Sequence, residues 1–286
     1  MKLPAFEIHR PKTVADTSLM LADLGSDAAV YCGGTELLLA MKLGLANYPH
    51  LVDIKGVLEL HGIERRSNSV WIGATTRHHE IECSPEVRSA LPELAEMISH
   101  VANPRVRSVG TIGGNLCFAD PHSDPATFLI AAGAEVACQI RGDQVRVAAA
   151  DFGSDAYETV LGHEDLLLGV EIPSLPSGSG LSHMRLKLHE RPAVTVTAMV
   201  QVRNRTVSGA RVAIGCVGPV AAACDVADQL LGKSESDFDD AARPCAQEAA
   251  AATHPLPGPE SAEYRSHMVE VLVYRALRAA FGRAQG

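Results

Sequence analysis

The sequence predicts an α+β protein, with a larger N-terminal domain of alternating strands and helices followed by a small α+β domain. Three observations carry that expectation. Through residues 1–176, short β-prone stretches alternate with helical periodicity and are punctuated by two Gly-Gly turns, Gly33-Gly34 and Gly113-Gly114. The run Ser174-Leu175-Pro176-Ser177-Gly178-Ser179-Gly180 is the most linker-like in the chain. Beyond it, two Val- and Thr-rich stretches precede three helical ones, the pattern of antiparallel strands covered by helices.

In chain order, a helix near Thr13–Leu24 leads to a strand at Ala28–Tyr31, the first glycine turn and a helix over Thr35–Leu43. Leu51-Val52-Asp53-Ile54 is a compact apolar strand, and Gly62–Arg66 with Val70–Ala74 reads as a hairpin turned at Asn68. With Ser84 as N-cap and Pro85 at the first helical position, Val87, Leu91, Leu94, Met97 or Ile98 and Val101 recur on one face. They predict a single helix ending at Asn103-Pro104. Asp124 as cap and Pro125 open a helix over Ala126–Ala132. Glu135–Ile140 and Gln144–Val147 form another hairpin, and Leu166–Ile172 is a strand stopped by Pro173. In the second domain, Ala193–Arg203 and Gly209–Ile214 form a hairpin, and helices are expected over Ala221–Leu231, Asp237–Ala252 and Glu263–Phe281.

Bulk properties exclude several function classes. At 286 residues and 47% hydrophobic, the chain can bury a sizeable core in two or three units. A formal charge of −9 argues against a nucleic-acid or anionic-membrane surface. The start lacks the apolar run of a signal peptide, and no stretch of about eighteen apolar residues offers a membrane span, so a cytoplasmic protein is expected. Seven cysteines without a Cys-x-x-Cys remove the usual signal for an iron–sulfur or zinc site. Cys32 and Cys117 flank the glycine turns; small buried thiols there are favoured over a redox role. The run His78-His79-Glu80 reads as a surface or partly buried face, and no metal site is expected.

The chemistry centres on the glycine turns. Thr111-Ile112-Gly113-Gly114-Asn115 places two residues without Cβ bulk between a hydroxyl and an amide, so that backbone N–H groups can approach a phosphate closely. Cys32-Gly33-Gly34-Thr35-Glu36 is a second turn of the same kind, opening a helix whose positive end adds to the attraction. Two converging turns suit a pyrophosphate and hence a dinucleotide. Arg105 or Arg107 either neutralises part of that pyrophosphate or is a solvated loop charge. A Gly-x-Gly-x-x-Gly after a strand and a Gly-Lys-Ser/Thr loop are both absent, which disfavours Rossmann and P-loop sites.

Cys-Gly-Gly-Thr-Glu-Leu-Leu…Met-Lys-Leu together with Val-Gly-Thr-Ile-Gly-Gly-Asn-Leu…Ala-Asp-Pro-x-Ser-Asp resembles the FAD-binding medium subunit of the molybdenum hydroxylases, the xanthine and carbon monoxide dehydrogenase family. The likeness runs from Phe6 to about Ala280. It implies a PCMH/VAO-type FAD-binding domain over 1–176, in two α/β subdomains (about 1–55 and 56–176), and a C-terminal α+β domain over 181–286. The implied cofactor is FAD. The implied partners are a large molybdopterin subunit and a small subunit with two 2Fe–2S clusters, assembled as a dimer of heterotrimers. Electrons would pass from molybdenum through the clusters to this FAD and on to an external acceptor.

The resemblance also implies a cofactor-binding set. It comprises Tyr31, Cys32, Gly33, Gly34, Thr35, Glu36 and Leu37 at the first turn, and Val101 and Ala102. Thr111, Gly113, Gly114 and Asn115 follow at the second turn, then Asp124, then Leu166 and Leu167 against the cofactor rings, and Lys187 near the flavin. Asp124, a carboxylate, would serve a ribose or ribityl hydroxyl, or only cap its helix. At Lys187 the chain departs from the family, which follows its lysine with Arg and a downstream Asp; here the run is Lys187-Leu188-His189-Glu190-Arg191-Pro192. No nucleophile–base constellation is visible, so no catalytic side chain is expected, in keeping with a subunit whose cofactor carries the chemistry. The rival reading is a stand-alone FAD oxidoreductase of the same superfold with its own small-molecule substrate; it requires an acid or base beside the flavin. A scaffold that has lost its flavin is a third, against which both intact glycine turns speak.

Overall fold

The computed structural model describes residues 2–285. These fall into two compact units: the described residues up to Ala119 with Glu135–Glu171, and Asp120–Ala134 with the described residues from Ile172 onward.

The first unit begins with β1 (Glu7–His9), α1 (Val14–Leu24), β2 (Ala28–Tyr31), α2 (Leu37–Leu43) and β3 (His50–Asp53). Thr13 is extended and its hydroxyl accepts the Asp16 N–H at 3.0 Å, which starts α1. The strands form a parallel sheet of order β1-β3-β2. A second sheet uses β4 (Ile63–Arg65) and β5 (Ser69–Gly73), followed by five short helices: α3 (His78–Cys83), α4 (Pro85–Ala90), α5 (Pro92–Ser99), α6 (Pro104–Arg107) and α7 (Ile112–Phe118). After α8 (Asp124–Ala132), which lies in the other unit, come β6 (Glu135–Ile140), β7 (Asp143–Ala148), α9 (Ala149–Phe152), the small hairpin β8 (Gly153–Asp155) with β9 (Glu158–Thr159), and β10 (Leu166–Pro173). The five-stranded order is β4-β5-β10-β6-β7. Leu21, Val52, Val57, Leu60, Leu166 and Leu168 belong to one buried cluster, so α1, the parallel sheet and β10 share a core.

Two expectations fail here for identifiable reasons. The single helix predicted from Pro85 to Asn103 is two helices, because Leu91, at φ −146° and ψ 66°, precedes Pro92. A proline disfavours helical backbone in the residue before it and has no N–H to donate. The second glycine turn is not an open loop: Gly113 and Gly114 lie in the first turn of α7, capped by Thr111, whose hydroxyl accepts the Gly114 N–H at 3.1 Å.

The second unit adds β11 (Ser179–Leu186), β12 (Val194–Arg203), β13 (Thr206–Gly215), β14 (Ala222–Cys224), α10 (Glu235–Ala251) and α11 (Ala262–Gln285) to α8. The four strands form an antiparallel sheet in chain order. Val194, Val196, Ala198 and Val200 alternate along β12 into one core with Phe238 and Ala242 of α10 and Val273 and Leu277 of α11. Phe238 stacks on Phe281 at 4.0 Å between ring centres. On the opposite face, Thr195 meets Thr127 of α8 at 3.0 Å. The linker-like run ends inside β11. The stretch Ala221–Leu231 is β14 plus a 3-10 segment at Asp225–Leu230 instead of an α-helix, since Ala222, Ala223 and Cys224 pair with β13. Asp124 occupies the first helical position of α8, after Ser123 at the cap position.

Candidate functional site

The two glycine turns meet. A Cβ built on Gly33 would collide with the Val109 carbonyl oxygen and lie 2.9 Å from the Gly110 Cα, so the first turn presses directly on the backbone leading into the second. The Thr111 hydroxyl stands beside the Cys32 thiol, which burial pushes up from its usual range. Gly34 has a φ of 69° and faces the Tyr31 ring, 2.5 Å from where its Cβ would be; both features require glycine. Behind this turn Lys55 reaches three groups: the Asp53 carboxylate at 2.9 Å, the Tyr31 ring at 3.9 Å and the Cys32 carbonyl at 3.4 Å. Asp53 is held on its other oxygen by Arg10 at 3.7 Å.

The glycines of the second turn have different duties. Gly113 packs on Ala74, whose carbonyl oxygen and Cβ would be 2.7 and 2.8 Å from an added Cβ, and its N–H donates to that same carbonyl at 3.0 Å. Gly114 is exposed, and an added Cβ would meet only the Thr111 hydroxyl, at 3.0 Å. The N–H groups of Ile112, Gly113, Gly114 and Asn115 are all taken up within the chain. Among the described residues, the amides of Gly34 and Thr35 in the first turn have no such partner. The first turn therefore offers N–H groups to an anion, and the second offers clearance at Gly114, with Asn115 beside it in the cleft wall.

Around this junction lies a cleft of about 750 Å³, within the range of small-molecule and cofactor sites. Its walls include Cys32, Gly33, Gly34, Thr35, Glu36 and Leu37, then Val101 and Ala102, then Thr111, Gly113, Gly114 and Asn115, and finally Leu166 and Leu167. Consecutive strand residues normally face opposite ways. Here the register of β10 against β6 shifts between Leu167 and Gly169. Tyr31 stands beside Gly34. Asp124 and Lys187 belong to the second unit: Asp124 is buried, 3.5 Å from His183 and 3.4 Å from Arg185, and Lys187 is exposed just past β11.

Arg107 takes neither role anticipated for it. Its guanidinium binds Glu82 at 2.9 Å and the Val101 carbonyl at 3.0 Å, fixing the Val101-Ala102 wall to α3. Ala102 adopts a φ of 46°, uncommon without glycine. Sequence reasoning missed His78, Phe118 and Tyr157 in the cleft wall. Phe118 and Tyr157 meet edge-on at 5.3 Å, and the Tyr157 N–H donates to the Ala119 carbonyl at 2.9 Å, tying the β8–β9 hairpin to the end of α7. Only tertiary structure joins residues this far apart. His78 has a sequence signal, the adjacent histidines, which reads as a surface or partly buried face; the fold instead buries it at the cleft wall.

A cleft built on two abutting glycine turns, one with unsatisfied amides and the other with no Cβ in the way, has the features of a site for a phosphate-bearing cofactor. Residues 4–175 match the family described as FAD binding domain in molybdopterin dehydrogenase, and residues 182–280 match CO dehydrogenase flavoprotein C-terminal domain. The chain is 34% identical to the carbon monoxide dehydrogenase medium chain of Hydrogenophaga pseudoflava, over 98% of each. It is 29% identical to the nicotine 6-hydroxylase medium subunit of Paenarthrobacter nicotinovorans, over 99% of this chain and 100% of that one. Among solved structures, a carbon monoxide dehydrogenase from Hydrogenophaga pseudoflava superimposes with a TM-score of 0.95 at 33% identity, covering 99% of each chain. Quinoline 2-oxidoreductase from Pseudomonas putida 86 gives 0.91 at 28% identity, covering 99% of this chain and all of that one. The chain belongs to the FAD-binding medium subunits of the molybdenum hydroxylases, and its cofactor is FAD. No helix among the described residues is long and apolar enough to cross a membrane.

Proposed function

We propose that this subunit relays electrons from a partner's iron–sulfur clusters to an external acceptor. The observation that carries the reading is the contact of Gly33 with Val109 and Gly110, which joins two distant segments at one cofactor cleft. FAD, when bound, supplies the conversion between one-electron and two-electron transfer. The chain's own residues hold it. The amides of Gly34 and Thr35 take a phosphate oxygen, and the open face at Gly114 with the Asn115 side chain admits the other phosphate. Leu166 and Leu167 present an apolar wall to the ring system, with Val101 and Ala102 also bordering the cleft. Glu36, Leu37, Cys32 and Thr111 complete the cradle, and Tyr31 braces it from behind. We extend the reading to Asp124, as acceptor for a hydroxyl of the cofactor, and to Lys187.

The absence of a Cys-x-x-Cys in the chain supports clusters carried on a separate small subunit, with a molybdopterin subunit as the site of substrate oxidation. That relatives are medium chains and medium subunits favours a complex with other chains, and we extend this to a dimer of heterotrimers. Co-expression of the chain with the two neighbouring subunits tests this. A complex that holds FAD and iron in fixed ratio, and whose flavin is bleached by the complex's organic substrate, is the expected result. A flavin that is bleached by a small molecule in the isolated chain, with no partner retained, would favour the stand-alone oxidoreductase instead.

A further inference from the structure

His78 begins α3 at the place where the two glycine turns touch. Its N–H donates to the Gly110 carbonyl at 2.9 Å. A Cβ on Gly110 would lie 3.4 Å from His78 Cδ2 and 3.7 Å from the Thr35 hydroxyl, so imidazole, first turn and second turn share one corner of the cleft. The side chain is 2% exposed. Neither ring nitrogen has a hydrogen-bond partner among the described residues; Nδ1 is sealed from solvent on the ring edge away from Cδ2, and Nε2, bonded to Cδ2, is the nitrogen on the side of the shared corner. Burial, with the Arg107 charge nearby, lowers its pKa to about 4, so the ring is a neutral imidazole with one N–H to give and one nitrogen to accept.

A buried polar group without a partner is a cost that native folds rarely leave standing, and where it persists a ligand or water normally completes it. A buried ring placed only to fill space would be cheaper as phenylalanine. We propose that His78 is a cofactor-positioning residue that donates its Nε2–H to the diphosphate bridge of FAD, directly or through one water, where Thr35 and Gly110 meet. This rests on the dinucleotide reading of the cleft.

The two sides of that account separate in His78→Phe, which keeps the ring volume and removes both nitrogens. FAD should bind the full-length His78→Phe chain about tenfold more weakly, the worth of one hydrogen bond to a charged oxygen, while the flavin-free variant melts at the same temperature or higher. His78→Gln, which restores a donor, should recover part of the affinity, and the phosphorus resonances of bound FAD should move in His78→Phe and return toward the parent's in His78→Gln. Parent and both variants holding FAD within about twofold of one another would overturn the proposal and leave the cleft assignment intact. A flavin-free His78→Phe chain that melts well below the parent would also overturn it, by making the imidazole a packing residue. Failure of the parent itself to bind FAD would refute the dinucleotide reading instead.

Discussion

Gly33 and Gly110, seventy-seven positions apart, are in backbone contact: a single methyl on Gly33 would sit 2.9 Å from the Gly110 Cα. The obstacle is main chain on both sides, so it cannot rotate away. Gly33→Ala should therefore part the two turns, lowering stability by about 1–3 kcal/mol and emptying the cleft of flavin. Thermal melting with the FAD-to-protein ratio of the purified chain checks both.

Gly113→Ala and Gly114→Ala should behave oppositely. The first drives a methyl into the Ala74 backbone and should destabilise the chain by about 1–3 kcal/mol. The second adds a helix-favouring residue inside α7, meets only the Thr111 hydroxyl, and should leave stability within about 1 kcal/mol of the parent while weakening FAD binding. Melting curves and FAD titrations of the pair give the comparison.

Lys55→Met removes the ammonium that links Asp53, the Tyr31 ring and the Cys32 carbonyl. Because Lys55 is partly exposed and Arg10 stays near Asp53, the expected stability loss is small, about 1 kcal/mol. The loosened first turn should show itself instead as faster FAD release, measured by the recovery of flavin fluorescence after dilution.

The buried neutral His78 gives the flavin-free chain a pH signature. Its folded pKa of about 4 lies below the ordinary 6.5, so between those values the unfolded chain binds the proton and the folded one does not. Stability contributed by this group is therefore complete above about pH 6.5 and falls as the pH drops toward 4. Denaturant midpoints taken across that window should decline less steeply in His78→Phe than in the parent.

Much of this architecture was legible in the residues. The two Gly-Gly turns and the strand–helix alternation around them point to β2, α2 and α8, and the Val/Thr-rich stretches to the β12–β13 hairpin, but no local pattern shows that α8 belongs to the second unit. The break at Leu91-Pro92 was also written there; the apolar periodicity running through it outweighed the proline. What no local pattern could reveal was the division of labour between Gly113 and Gly114, because that depends on Ala74, brought alongside by the fold. The same holds for Arg107, whose charge is consumed by Glu82 and the Val101 carbonyl, and for Ala221–Leu231, where pairing with β13 overrode helical propensity.

Calorimetric titration of the flavin-free, full-length chain with FAD and with FMN is the most direct trial of the paired-turn cradle. One FAD per chain, with FMN at least about tenfold weaker because it lacks the second phosphate and the adenosine, is the predicted result. Equal affinity for FMN, or no binding of either flavin, would contradict it.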